Sequence, residues 1–218
     1  MAVALMCVCA SDVSGQDSSG RSCPYVVFWN IENYFDPFDD SLTLDDEFTP
    51  AGEKHWTWKK FLVKRNLIAK ALLSMYDRYG DWPLAVGFAE VENRMVLRQL
   101  VAQTPLAKIG YGVVHRDSPD IRGIDVGFIY RQECFTVSKV EVIPVMTGRE
   151  RPTRDILHIR GILHLPGRLA DSLHFMVCHW PSKFGGEEYS RPFRQAAADT
   201  LSRVIGALAD SATGELPS

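Results

Sequence analysis

Three residues able to do chemistry stand at the same offset in three separate apolar runs. In Val-Gly-Phe-Ala-Glu-Val-Glu-Asn (86–93), Val86 and Phe88 lead along one face to Glu90. In Tyr-Val-Val-Phe-Trp-Asn-Ile (25–31), Val26 and Phe28 lead to Asn30. In Leu-His-Phe-Met-Val-Cys-His-Trp (173–180), Phe175 and Val177 lead to His179. Side chains alternate across a strand, so each run should be apolar on its core face and present a polar group near its end. A carboxylate placed there needs a cation, a proton or a hydrogen-bond donor. An amide, a carboxylate and an imidazole converging at one end of a sheet would suit a hard cation and a charged substrate. Taken singly, each is better explained as a satisfied polar residue at a strand exit; the shared offset shifts the balance toward a site.

The elements that must position these residues can be read from periodicity. His55 to about Tyr76 is expected to be helical, with Trp58, Phe61, Ile68, Leu72 and Met75 as its apolar stripe. Lys59, Lys60, Lys64 and Lys70 are expected on its solvated face. Gly80-Asp81-Trp82-Pro83 breaks that helix and leads into the run ending at Glu90. A short helix follows over Asn93–Thr104, with Asn93 as cap. Five runs without intervening helices (111–115, 124–131, 135–143, 156–165 and 173–180) argue for antiparallel pairing. A last helix over Ser190–Asp210 is expected to be capped by Ser190. The sum is an α/β domain of two packed sheets with helices outside. Asp36, Asp39, Asp40, Asp45 and Asp46 read as a solvated acidic loop.

The 218 residues suffice for one domain with a sizeable core. A net charge of −3 argues against broad electrostatic binding of nucleic acid, while leaving room for a local basic patch. No run is long enough to span a bilayer. Residues 1–22 are expected to be an export leader and linker, and residues 23–218 the domain. Val8-Cys9-Ala10 resembles a cleavage site, although the basic start of a signal peptide is missing. The destination would be the periplasm or the exterior; if the leader is only an untidy terminus, the cytoplasm. Of the five cysteines, Cys7 and Cys9 fall in the leader, and Cys23, Cys134 and Cys178 show no metal spacing. Cys134 and Cys178 are expected to be buried thiols in strands. His55, His115, His158, His164 and His174 form no metal set visible in the sequence.

Four segments, in this order, carry a resemblance: Trp29-Asn30-Ile31-Glu32-Asn33, Glu90-Val91-Glu92-Asn93, Arg122-Gly123-Ile124-Asp125-Val126 and His179-Trp180-Pro181-Ser182-Lys183. Together they resemble the endonuclease/exonuclease/phosphatase superfamily with its deoxyribonuclease-like fold, most nearly its bacterial, often exported members. The resemblance implies a four-layer α/β/β/α sandwich and a Mg²⁺ cofactor, with Mn²⁺ as the alternative. It implies that Glu90 binds the metal, that Asn30 belongs to the metal set and helps hold the metal-site Glu and water, and that His179 hydrogen-bonds the scissile phosphate and protonates the leaving oxygen. Ser182 and Lys183, in the same segment as His179, join the substrate-binding set. Arg154, in Thr153-Arg154-Asp155, is a candidate phosphate contact, with pairing to a carboxylate as the competing expectation. Arg191 and Arg194 are candidates too, with Glu187 and Glu188 as the competing partners.

The family's Gly-Asp-Phe-Asn and terminal Ser-Asp-His segments do not occur in these residues, so the fold is expected to be incomplete at its C-terminus. The expected function is metal-dependent, nuclease-like hydrolysis of a phosphodiester or phosphomonoester, nucleic acid included among the substrates. The alternative is an inactive, truncated remnant acting as a binding or structural protein.

Overall fold

A computed structural model describes residues 24–148, 153–167, 169–183 and 185–213. The expected leader and linker, with Cys7, Cys9 and Cys23, lie outside the described residues. The chain runs β1 (Val26–Tyr34), α1 (Trp58–Tyr79), β2 (Ala85–Val91), α2 (Arg94–Ala102), β3 (Tyr111–His115), β4 (Asp125–Arg131), β5 (Phe135–Ile143), β6 (Ile156–Leu163), β7 (Asp171–Val177) and α3 (Glu187–Thr213). One sheet has the order β1-β2-β4-β3 and the other the order β5-β6-β7. Among the described residues, β1 and β2 pair in parallel, joined through α1, and the other pairings are antiparallel.

Four layers result from where the apolar faces go. Phe61, Ile68 and Leu72 of α1 and Leu97 and Leu100 of α2 pack against Val86, Phe88 and Ile129 on one face of the first sheet. Its other face sends Ala85, Val126 and Phe128 against Leu157, Ile159, Phe175 and Val177 of the second sheet. The far side of that sheet, at Ile156 and Met176, meets Ala197 and Leu201 of α3. The expected α/β sandwich is therefore present.

Several boundaries move for local reasons. α1 begins at Trp58 because Thr57 caps it, its side chain accepting the Lys60 N–H at 3.4 Å. Gly80, at φ 74°, ends it in the left-handed conformation that glycine tolerates best. Asn93 caps α2 as expected, accepting the Val96 N–H at 3.1 Å. Ser190 does not cap α3, which starts at Glu187; instead its hydroxyl donates to the Gly186 carbonyl at 2.6 Å. Neither cysteine lies in a strand: Cys134 is in the turn between β4 and β5 and only partly buried, and Cys178 follows the last residue of β7 but is buried as expected.

The acidic loop is not uniformly solvated. Asp36 and Asp45 are buried, together with Glu92. The Asp36 N–H donates to Glu92 Oε2 at 2.5 Å, and Asn93 Nδ2 donates to Asp36 Oδ2 at 2.8 Å. Burial first, then the charges of Asp36, Asp45 and Asp40, push Glu92 up to about 8 against that N–H. Glu92 therefore carries a proton at neutral pH, which lets three acids share one corner.

Candidate active site

The three polar residues converge, though Glu90 arrives by a route that strand alternation does not describe. Val86 and Phe88 face the helices, so a regular strand would point Glu90 there as well. Instead the pairing of β2 with β4 slips between Ala89 and Val91, and Glu90 takes φ 62°. A non-glycine residue in that region costs about 1–3 kcal/mol, and such strain gathers at functional sites. The turn swings the carboxylate toward β1, where Oε1 accepts Asn30 Nδ2 at 2.9 Å and Oε2 accepts the Asn33 N–H at 3.0 Å.

The end of β1 is shaped to receive it. Glu32 and Asn33 also have positive φ, at 54° and 58°. Asn30 Oδ1 accepts the Glu32 N–H at 2.9 Å, which fixes the amide so that its NH₂ points at Glu90. The Lys64 ammonium on α1 donates to the Glu32 carbonyl. Asn30 is thus a positioning residue for Glu90, its own oxygen already engaged in the turn.

His179 lies two residues past the end of β7, its Nε2 3.5 Å from Glu90 Oε1. Arg154 holds this segment from below. Its Nε donates to the His179 carbonyl at 3.2 Å, one terminal nitrogen to the Trp180 carbonyl at 3.1 Å, and the other to Asp120 Oδ2 at 2.8 Å. Asp120 also accepts three bonds from Arg122, from its backbone N–H, Nε and a terminal nitrogen. Burial alone would raise Asp120; the two arginines more than offset it and keep the carboxyl below its usual range.

Burial, with the Arg154 and Arg122 charges behind it, pushes His179 down to about 3. The imidazole is therefore neutral at neutral pH. Nδ1 is buried without a hydrogen-bond partner among the described residues. An unpaired acceptor costs less than an unpaired N–H, so we assign the proton to Nε2, facing Glu90. Below about pH 6.5 the unfolded histidine takes a proton that the folded one refuses. Stability should then fall as pH drops from about 6.5 toward 3. Urea unfolding at pH 7 and pH 5 should show His179→Gln losing less than wild type, by up to about 2 kcal/mol; equal losses would remove His179 from the titrating set.

The sequence candidates for phosphate contact fare differently. Arg154 is 6% exposed, and each of its three nitrogens donates to a protein acceptor, two of them carbonyls and one a carboxylate. The competing expectation of a carboxylate partner is the one observed, in the interior and not at the surface. Lys183 is exposed and pairs with Glu187 at 3.3 Å. Arg191 faces Glu188 at 3.9 Å, and Arg194 bonds the Ser190 hydroxyl at 2.5 Å, with Glu187 4.0 Å away. These pairings are the competing expectation for the two arginines. Ser182 is exposed.

Two cations near Glu90 went unassigned in the sequence. Glu90's charge acts on Lys64 and on Arg122. Lys64 is not on a solvated face: burial lowers it, against the pull of Glu32 and Glu90. Its position three residues after Phe61 and four before Ile68 puts it on the apolar stripe itself, a signal available in the sequence. Arg122 is half-exposed, on a loop no periodicity describes.

The donor set fits a hard divalent cation. Glu90 is a partly exposed carboxylate held rigidly from one side by N–H groups, and Mg²⁺ takes one or two carboxylates plus substrate oxygens while keeping several waters. Glu90 would hold it, oriented by Asn30 and Asn33.

Residues 25–214 match a family profile described as Endonuclease/Exonuclease/phosphatase family. No curated protein sequence matches the chain. Among solved structures, D. rerio TDP2 complexed with single strand DNA product is similar over 85% of this chain and 54% of its own, at 16% identity and TM-score 0.45. A functionally unknown conserved protein from Enterococcus faecalis is similar over 87% and 62%, at 12% identity and TM-score 0.45. ANGEL2, a 2',3'-cyclic phosphatase, is similar over 67% and 38%, at 16% identity and TM-score 0.37. The chain spans about half the length of the first of these.

Proposed function

The chain belongs to the endonuclease/exonuclease/phosphatase family, and from that premise we propose that it hydrolyses phosphate esters, phosphodiesters foremost, with a divalent cation held at Glu90. The observation that carries this reading is the Glu90 carboxylate, turned out of its strand by a left-handed backbone and fixed by Asn30 Nδ2 and the Asn33 N–H, with His179 Nε2 3.5 Å away. When bound, Mg²⁺, or Mn²⁺ in its place, would neutralise charge developing on the phosphate.

The protein groups have separable tasks. Glu90 supplies the anionic oxygen. Asn30 and the 32–33 turn keep it from rotating away. His179, neutral, offers an N–H from Nε2 to a phosphate or leaving oxygen, stabilising charge without carrying one of its own. Lys64 and Arg122 add positive potential at the carboxylate. These are requirements of phosphate-ester hydrolysis in general; nucleic acid is one substrate class among several that meet them.

The test is hydrolysis of bis-p-nitrophenyl phosphate and of plasmid DNA by the purified chain, with millimolar Mg²⁺ and with EDTA. The expected result is turnover that EDTA removes and added Mg²⁺ or Mn²⁺ restores. A folded, monodisperse chain with no metal-dependent turnover on either substrate would overturn the proposal.

A further inference from the structure

A second group of potential ligands lies on a different face of the first sheet. His115 ends β3 and stands opposite Gly127 of β4, two residues along from Asp125, so His115 and Asp125 project from the same side. It is the helix side: a Cβ on Gly127 would meet Leu97 of α2 at 2.5 Å. The His115 and Asp125 side chains are only 2% and 4% exposed, and Nε2 stands 3.5 Å from Asp125 Oδ2. That separation does not make a hydrogen bond, and Nε2 has no other partner among the described residues. Asp117, on the loop after β3, is 90% exposed with an oxygen 3.7 Å from Nδ1. One ring nitrogen of His115 and one oxygen from each aspartate lie within 4.8 Å of one another.

We propose that His115, Asp117 and Asp125 form a second divalent-cation site, distinct from Glu90, that takes a cation of the Zn²⁺ or Mn²⁺ kind. Two ligands about 2.0–2.2 Å from a tetrahedral metal stand about 3.3–3.6 Å apart, which is the spacing of His115 Nε2 and Asp125 Oδ2. An orphaned buried ring nitrogen aimed at a buried carboxylate is what a metal would satisfy and what nothing else among the described residues does. Imidazole suits Zn²⁺ better than Mg²⁺, and two carboxylates extend the range to Mn²⁺. Asp125 is already oriented for the role, since its Oδ1 accepts the Ser118 N–H at 3.0 Å and Oδ2 is left facing the ring. The exposed Asp117 closes the site from the solvent side.

Such a site would tie the end of β3, the start of β4 and the loop between them at one point. That loop carries Asp120 and Arg122, through which Arg154 is braced. The cation would therefore stiffen the underside of the His179 segment without touching substrate.

The experiment is metal binding by the whole chain after chelator stripping, by equilibrium dialysis with Zn²⁺ and by Co²⁺ absorption spectra. It uses the Glu90→Gln background to remove the first site. One equivalent of Zn²⁺ should remain bound, with a Co²⁺ spectrum of nitrogen and oxygen ligation. Adding Asp117→Asn, an exposed change that leaves the core untouched, should weaken affinity about 10–100-fold, and adding His115→Gln should abolish the Co²⁺ bands. No bound metal in the Glu90→Gln chain would overturn the proposal. So would metal binding insensitive to both further changes.

Discussion

Glu90→Gln should lower metal-dependent hydrolysis by about 10²–10⁴-fold while leaving the fold intact. The size follows from what is removed: losing one preorganised electrostatic group costs about 10²–10³-fold, and loss of the cation would add to that. The fold should survive because the glutamine fits the same volume. Its Oε1 can still accept one of the two N–H groups that now meet Glu90, from Asn30 or Asn33. The other donor would face the new NH₂ group, a mismatch worth about 1–3 kcal/mol. Calorimetric titration with Mg²⁺ and a urea melt separate the two effects. Binding lost from a variant that still unfolds cooperatively, with stability reduced by no more than that mismatch, is the expected pair. Unchanged Mg²⁺ binding in a folded variant would show that Glu90 is not the ligand. Asn30→Ala gives an internal comparison. It removes no metal charge, so it should impair hydrolysis by less than Glu90→Gln and restore freedom to the carboxylate.

The convergence of Asn30, Glu90 and His179 was legible in the sequence because each closes an apolar run. The reason given by alternation was right for two of them and incomplete for the third. Val26 and Phe28, like Phe175 and Val177, do line the core between the sheets, and Asn30 and His179 continue from them. Val86 and Phe88 line the helix side instead, and Glu90 reaches the site only through its left-handed backbone. A positive φ on a glutamate has no signature in composition or period, since it is imposed by the slipped register with β4 and the donors waiting on β1.

The supporting parts were harder to read for a related reason. Asp120 lies 34 residues from Arg154 along the chain, in a loop whose course depends on turn geometry. Burial of Asp36, Asp45 and Glu92 could not be inferred from charge density, because a run of acids reads as solvated until a proton and a set of N–H donors are placed among them. The helices were easier: their stripes repeat, and Thr57, Gly80 and Asn93 mark three of their ends.

Arg154→Met should be the most destabilising of the single changes considered, by about 3–5 kcal/mol, the range for removing one partner from a buried ion pair. Both side chains of the pair with Asp120 are nearly sealed, at 5% and 6% exposure. The methionine fills most of the volume, so the loss reports polar contacts more than a cavity. Asp120 would keep Arg122, which is half-exposed and cannot replace a buried guanidinium. The His179 and Trp180 carbonyls would each lose their donor from Arg154. Arg154→Lys should fall between, because one ammonium cannot reach three acceptors spread across a fork. Asp120→Asn in the Arg154→Met background should recover part of the loss, since the uncompensated charge is then gone; this coupling is what a double-mutant cycle measures. Hydrolysis by whatever fraction remains folded should fall about 10²-fold, because the carbonyls that set the His179 backbone would be free to shift, and about 1 Å of misplacement costs that much. A variant that melts like wild type and turns over normally would show that the Arg154 fork neither holds the fold nor aims the histidine.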